Sequence, residues 1–370
     1  MTDPGLPPIV VRKLTLSGFR NFSKATLSPG PRLNVVTGDN GQGKTSLLEA
    51  LYFVATTRSF RSERLSNLVQ RGASETWVRA EIAEAGRPHE QCSALSGAQR
   101  RVTLDGKKPE RLVDYAQRTP VVVFHPGDLE LVSGGASLRR RLLDRAALFV
   151  DPAGYEHRAR YERAVKGRLR VLEERGERAA ELDPYELIAA EEGARYQLAR
   201  KRAAEAVLRE LTPAFSRLAA ASLTLSAQYK LGGSVEPAEF LSELRGRRGR
   251  DRARRSSSFG PERDDLELSI DEKAARSHAS QGQQRILTLS LKLSELECIA
   301  EARGAPPVLL LDDVSSELDP QRTGAVYELL RSSRSQVFVT TTRRELFPTF
   351  AEHAAERMDF VVEAGTLRVV

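Results

Sequence analysis

The chain has 370 residues, 40% of them hydrophobic, which is long for one core and implies two lobes. Its 57 basic and 50 acidic residues leave a formal charge of +7, a balance that suits a polyanionic partner such as nucleic acid, although an arginine-rich composition alone gives the same bias. No apolar run reaches the roughly 18 residues of a membrane span, the N-terminus lacks a signal-peptide pattern, and Cys92 and Cys298 are too few for a disulfide framework or a cysteine-rich metal site, so a cytoplasmic protein without a membrane partner is expected.

Residues 9–27 read as strand followed by turn, and Leu33-Asn34-Val35-Val36 as a buried strand. Then comes Gly38-Asp39-Asn40-Gly41-Gln42-Gly43-Lys44-Thr45, a complete G-x-x-x-x-G-K-[ST] loop, opening a helix that starts with Thr45 and Ser46. Strand, glycine loop and helix together mark a nucleotide site. The glycines free successive N–H groups to turn toward phosphate, and the helix end adds its positive dipole. Lys44 is expected on the β- and γ-phosphates and the Thr45 hydroxyl on Mg²⁺, so the cofactors are ATP and Mg²⁺.

Residues 76–82 and 101–107 alternate as strands, with Asp105-Gly106 as a hairpin signal, and Pro120–Phe124 is a buried strand. From 137 to 213 the texture becomes helical, either a short coiled-coil pair or an antiparallel bundle with solvated faces. Residues 245–258 hold seven arginines against one aspartate. They are expected to form a mobile loop, as either a phosphate-contacting arm or a solvated linker. Helices at 283–303 and 321–331 alternate with buried strands at 308–311 and 336–340. The strand at 308–311 ends in Asp312-Asp313, where Asp312 is expected to hold Mg²⁺ and Asp313 to orient or deprotonate an attacking water.

Two further segments, Ala279-Ser280-Gln281-Gly282-Gln283-Gln284-Arg285 and Ser315-Ser316-Glu317-Leu318-Asp319, flank that acidic strand. Here the chain resembles the ABC-type ATPases, whose signature precedes the acidic strand and whose Ser-x-Leu-Asp loop follows it. Ala279 and Gln281 depart from the usual signature, while Ser280, Gly282 and Gln283 match. The distance from phosphate loop to signature resembles the SMC-type branch, and within it the RecF family. That likeness rests on residues 16–22, 38–50, 58–61, 123–132, 260–265, 279–285 and 309–319.

The resemblance implies an α/β fold: an SMC-like phosphate-loop ATPase head with a mixed sheet and an antiparallel β subdomain, plus an inserted, mainly helical lobe. The expected parts are 1–130 and 263–370 for the ATPase lobe and 131–262 for the insertion. It also implies that Ser280, Gly282 and Gln283 bind the γ-phosphate held by a second copy, with Asp319 nearby. His125 falls where relatives sense Mg²⁺ and nucleotide, and a structural histidine is the alternative. Thr341 replaces a switch histidine and is a poor proton acceptor, which implies slow hydrolysis. Arg58 and Arg61 either approach the nucleotide or form surface salt bridges. The implied activity is a DNA-dependent ATPase switch in recombinational repair, dimerising on ATP. It would bind DNA without sequence preference and act with RecR and RecO to load RecA at gaps. A metabolic kinase, a transporter-coupled ATPase and a non-catalytic ATP-binding scaffold are the alternatives.

Overall fold

The computed structural model describes residues 8–97, 99–219, 222–313, 334–343 and 356–370. The chain divides into two compact units, Met1–Asp128 with Ile299–Val370, and Leu129–Cys298. In the first, β1 (Val10–Phe19) and β2 (Phe22–Leu27) pair as a hairpin, and β3 (Leu33–Thr37) leads through the glycine loop into α1 (Lys44–Thr56). Then follow β4 (Glu75–Glu84), β5 (Arg87–Ser96), β6 (Gln99–Leu104), α2 (Leu112–Arg118) and β7 (Val121–Phe124).

Strands β2, β1, β4, β5 and β6 form an antiparallel sheet in that order. Alternation along β4 buries Thr76, Val78, Ala80 and Ile82 and turns Glu75, Arg79 and Glu81 outward, so one sheet face packs on the core and the other meets solvent. Strand β5 was not anticipated from the sequence. Its inward positions hold His89, Gln91 and Ser93 as well as Leu95, so the apolar alternation that announces a strand is missing. Gln91 and Ser93 are satisfied instead by Tyr115 of α2, at 2.9 Å each. Asp105 and Gly106 do adopt positive φ and close a tight turn from Leu104 to Lys107, but the partner of β6 is β5.

The second unit carries α3 (Glu130–Ser133), α4 (Ala136–Val150), α5 (Ala153–Arg175), α6 (Leu182–Leu218), β8 (Leu225–Lys230), α7 (Pro237–Gly246) and α8 (Arg248–Arg254). After these come β9 (Asp265–Ile270), β10 (Lys273–Ala274), α9 (Ala275–His278) and α10 (Gln281–Arg303). The segment expected at 137–213 is a bundle: α6 packs on α4, α5 and α7. Residues 265–298, grouped from sequence with the ATPase lobe, belong to this second unit, because β9 pairs with β8 and α10 shares its core through Ile286, Leu287 and Leu291.

Residues 245–258 depart furthest from the expected mobile loop. They are the end of α7, all of α8 and a short connection, not a loop. Asp251 is fully buried and accepts from Arg168 at 2.7 Å, and Arg168 also binds Glu186 and the Leu244 carbonyl. Several of the run's own arginines are paired as well, among them Arg248 with Glu186 and Asp183, Arg252 with Glu177 and Arg255 with Glu173.

The chain returns to the first unit with β11 (Val308–Leu311), β12 (Val337–Thr341), β13 (Arg357–Glu363) and β14 (Thr366–Val369). The six-stranded order is β14-β13-β3-β12-β11-β7, parallel except for β14. Helix α1 is buried almost throughout, which is why its sequence is apolar all round rather than striped. Mixed sheet, antiparallel sheet and helical insertion thus match the expected fold class. The expected helix at 321–331 lies outside the described residues. No described helix is long and apolar enough to cross a membrane.

Candidate nucleotide site

The parallel order β3-β12-β11-β7 brings the C-terminal ends of four strands side by side, the edge where α/β sheets place their ligands. The glycine loop leaves β3 there. Gly38 has φ 146°, and a Cβ on it would stand 2.3 Å from the Val362 carbonyl; Gly43 has φ 121°, and a Cβ there would stand 2.6 Å from Asn21 Nδ2. Only glycine fits both the backbone and the space. The loop is braced through Gln42, whose carbonyl accepts from Asn21 Nδ2 at 2.7 Å and whose Oε1 accepts from the Ala364 N–H at 2.6 Å. No side chain caps α1 and no acidic residue stands in its first turn, which leaves its positive end for an anion.

Lys44 curls over the loop and donates to the carbonyls of Gly38 at 2.6 Å and Asp39 at 3.0 Å. Burial lowers its pKa below the ordinary lysine range, against the opposing charges of Asp313, Asp312 and Asp39. The Thr45 hydroxyl donates to Asp312 Oδ1 at 2.8 Å. Thr340 on β12 donates to the same oxygen at 2.8 Å and accepts from the Asp313 N–H at 2.9 Å. Burial raises the Asp312 pKa, opposed by those two hydroxyls and by the charges of His125 and Arg61. Asp313 itself sits at φ 50°, a left-handed conformation that aspartate tolerates better than most residues. A hydroxyl and a carboxylate in direct contact beside a loop lysine form a donor set of the right hardness for Mg²⁺ on a polyphosphate.

His125 follows β7 directly, one position past the Phe124 carbonyl that accepts from the Asp312 N–H at 2.8 Å. Its ring lies against Phe60 at 5.2 Å and its Nδ1 accepts from the Gly127 N–H at 3.1 Å. Thr341 ends β12 opposite Thr37 of β3, with its hydroxyl accepting from the Arg343 N–H at 3.0 Å. Arg61 stands 3.7 Å from Glu49 Oε2. Arg58 is exposed, and its side chain makes no ion pair among the described residues. Sequence reasoning missed Glu49, which is fully buried in α1 and takes both guanidinium donors of Arg20 at 2.7 Å and the Ser59 hydroxyl. The signal was the Gly18-Phe19-Arg20-Asn21-Phe22 run: Arg20 anchors α1 and Asn21 braces the loop.

In the second unit, Ser280 and Gln283 form a reciprocal cap on α10. The Ser280 N–H donates to Gln283 Oε1 at 2.8 Å, and the Gln283 N–H donates to Ser280 Oγ at 3.2 Å. Gly282 lies in the first turn between them. Asp319 and its flanking residues lie outside the described residues.

A family model for the N-terminal domain of RecF, RecN and SMC proteins matches residues 10–361. The DNA replication and repair protein RecF of Anaeromyxobacter sp. is 39% identical over 342 residues, spanning 90% of this chain and 92% of that one. RecF of Geobacter sulfurreducens is 38% identical over 340 residues, with 89% and 92% spanned. The chain belongs to the RecF family. A solved structure described as the recombination mediator RecF with ATP, of the RecFOR pathway, superposes with a TM-score of 0.88 at 26% identity over the whole of both chains. The Smc head domain of Pyrococcus furiosus shares the fold more distantly, with a TM-score of 0.55 at 17% identity over 98% and 96%. The described residues therefore carry the RecF-family fold, as the sequence resemblance implied.

Proposed function

We propose that this chain is an ATP-operated clamp of recombinational repair in the cytoplasm, closing as a homodimer on DNA. The observation that carries the reading is the contact of Thr45 with Asp312, beside Lys44, at one edge of the sheet. Lys44 exchanges its two loop carbonyls for phosphate oxygens, and the loop N–H groups of residues 39–46 cradle the rest. Thr45 and Asp312 would hold Mg²⁺, which would supply charge neutralisation to the triphosphate.

Ser280, Gly282 and Gln283 face the γ-phosphate of a second copy. Because Ser280 Oγ already accepts from Gln283, its own proton is left to donate to an oxyanion. Asp313 orients or deprotonates the attacking water. Thr341 supplies no base, so turnover is slow. Arg61 and His125, whose charges act on Asp312, serve as nucleotide sensors, and Arg58 and Asp319 keep the roles implied by the resemblance. Loss of the γ-phosphate removes contacts from both copies and the clamp opens.

Relatives named as DNA replication and repair proteins and a relative described with ATP in the RecFOR pathway support partners RecR and RecO and an outcome in RecA loading at gaps. The deciding measurement is the size of the particle with a non-hydrolysable ATP analogue, with and without DNA. Doubling of mass on analogue addition is expected. A monomer at micromolar concentration under all four conditions would remove the clamp.

A further inference from the structure

The outward face of the five-stranded sheet carries an ordered pattern that the nucleotide site does not use. Pairing registers align one row across it as Lys24, Ser17, Trp77, Ala94 and Arg101, and the next as Thr26, Thr15, Arg79, Cys92 and Thr103. Trp77 is the only tryptophan of the chain, and it stands at the middle of the sheet on the side away from the core. Its two direct cross-strand neighbours are serine and alanine, too small to cover an indole ring. An indole is large and is rarely buried completely, and this one is half-buried, with part of its surface open to solvent.

The charges around it are uneven. Arg79 lies over the ring at 5.7 Å and pairs with Glu90, and Lys13 pairs with Glu81, while Glu75, two residues before Trp77 on the same face, is exposed and makes no ion pair among the described residues. Lys24 and Arg101, at the two ends of the tryptophan row, are exposed and have no ion-pair partner among the described residues. Each lies two strands from Trp77, about 10 Å at the usual strand spacing. A flat aromatic flanked on both sides by free cations, with small and hydroxyl side chains between, matches what a single nucleic-acid strand requires. A base stacks on the ring and neighbouring phosphates meet the cations. A duplex keeps its bases stacked inside and can offer only phosphates.

We infer that this sheet face is a stacking platform for single-stranded DNA, with Trp77 as the base contact and Lys24 and Arg101 as phosphate contacts. The inference deepens the DNA-clamp reading and rests on it. Because the tryptophan is unique, its emission reports on this face alone, without any substitution. The test titrates the full chain, with ATP analogue and Mg²⁺, with oligothymidylate while following tryptophan emission, and in parallel follows the anisotropy of a labelled oligonucleotide. A blunt duplex of equal length serves as the second arm.

Quenching that saturates with the single strand, and not with the duplex, is expected. Trp77→Ala should weaken single-strand binding about tenfold, with Trp77→Phe recovering part of it. Lys24→Ala with Arg101→Ala should lower the slope of log affinity against log salt by about 1.4, the value for two single-strand phosphate contacts. Binding of the single strand with unchanged emission overturns the platform while leaving the clamp intact. Failure of both single strand and duplex to bind overturns the clamp reading and the platform with it.

Discussion

Lys44 and Asp313 sit within one electrostatic neighbourhood, since Asp313 is the foremost charge acting on the Lys44 ammonium. Their proposed tasks nevertheless differ, one binding phosphate and the other acting on water, and substitution should separate them. Lys44→Met removes a charged donor to phosphate, so nucleotide affinity should fall about 10- to 100-fold, read by titration with a fluorescent ATP analogue. Asp313→Asn keeps shape and the backbone bond from its N–H to Thr340, so ATP should still bind. Hydrolysis should drop by about 100-fold or more, and dimers formed with ATP should persist on a sizing column. If the two variants lose ATP binding equally, Asp313 belongs to binding and its role as the water's partner is wrong.

Among the elements, α7 and α8 show how tertiary contacts can order a segment that sequence pattern leaves shapeless. The stretch from Arg245 to Ser258 has no apolar stripe, so periodicity reads it as loop. What holds it is Asp251, buried against Arg168, a partner 83 residues away that no local rule could supply. Arg168→Ala would leave Asp251 and Glu186 buried without their cation, and a loss of about 3–5 kcal/mol in unfolding free energy is expected by chemical denaturation. Since Arg248 is likewise engaged with Glu186 and Asp183, Arg248→Ala should change stability while leaving DNA affinity within about twofold. A large loss of DNA binding in a folded Arg248→Ala protein would restore the arm.

By contrast the phosphate loop, the acidic strand end and the helices of the bundle were legible, because each writes its requirement into contiguous residues. Strand β5 was not, since its inward side chains are polar and paired to Tyr115. The brace of Arg20 on Glu49 was hidden for a similar reason, as the partners are 29 residues apart.

The helix that begins with the signature residues has its own internal tether. Glu295 on α10 is fully buried; burial alone would raise its pKa, but the charges of Arg145 and Lys292 prevail and hold it below the usual carboxylate range. A depressed carboxylate stabilises fully above its unfolded value, and the contribution disappears as pH falls through the folded value. Melting of the second unit should therefore decline below about pH 4, and Glu295→Gln should flatten that decline. Circular dichroism melts across the acid range read this directly. An unchanged acid profile in a folded Glu295→Gln protein would show that this tether carries no stability.

For the whole molecule the question is where the proposed affinity for DNA would come from when the excess of basic residues is only +7 and many arginines are spent on internal pairs. A single copy with so thin an excess should hold duplex DNA weakly at about 0.15 M salt, where charge contacts are screened within about 8 Å. In the proposed clamp, two copies joined by nucleotide would present two such surfaces to one polymer, and the second contact would become intramolecular. Affinity for duplex should then rise tenfold or more on addition of the ATP analogue. The slope of log affinity against log salt should steepen toward twice its nucleotide-free value, because that slope counts the phosphates neutralised. Ser280→Arg should abolish both changes while leaving the weak nucleotide-free binding in place, since a bulky cation at the cap of α10 obstructs the joining surface and removes no DNA contact. Equal affinity and equal slope with and without the analogue would mean that DNA is held by one copy acting alone, and that joining two copies serves something other than grip.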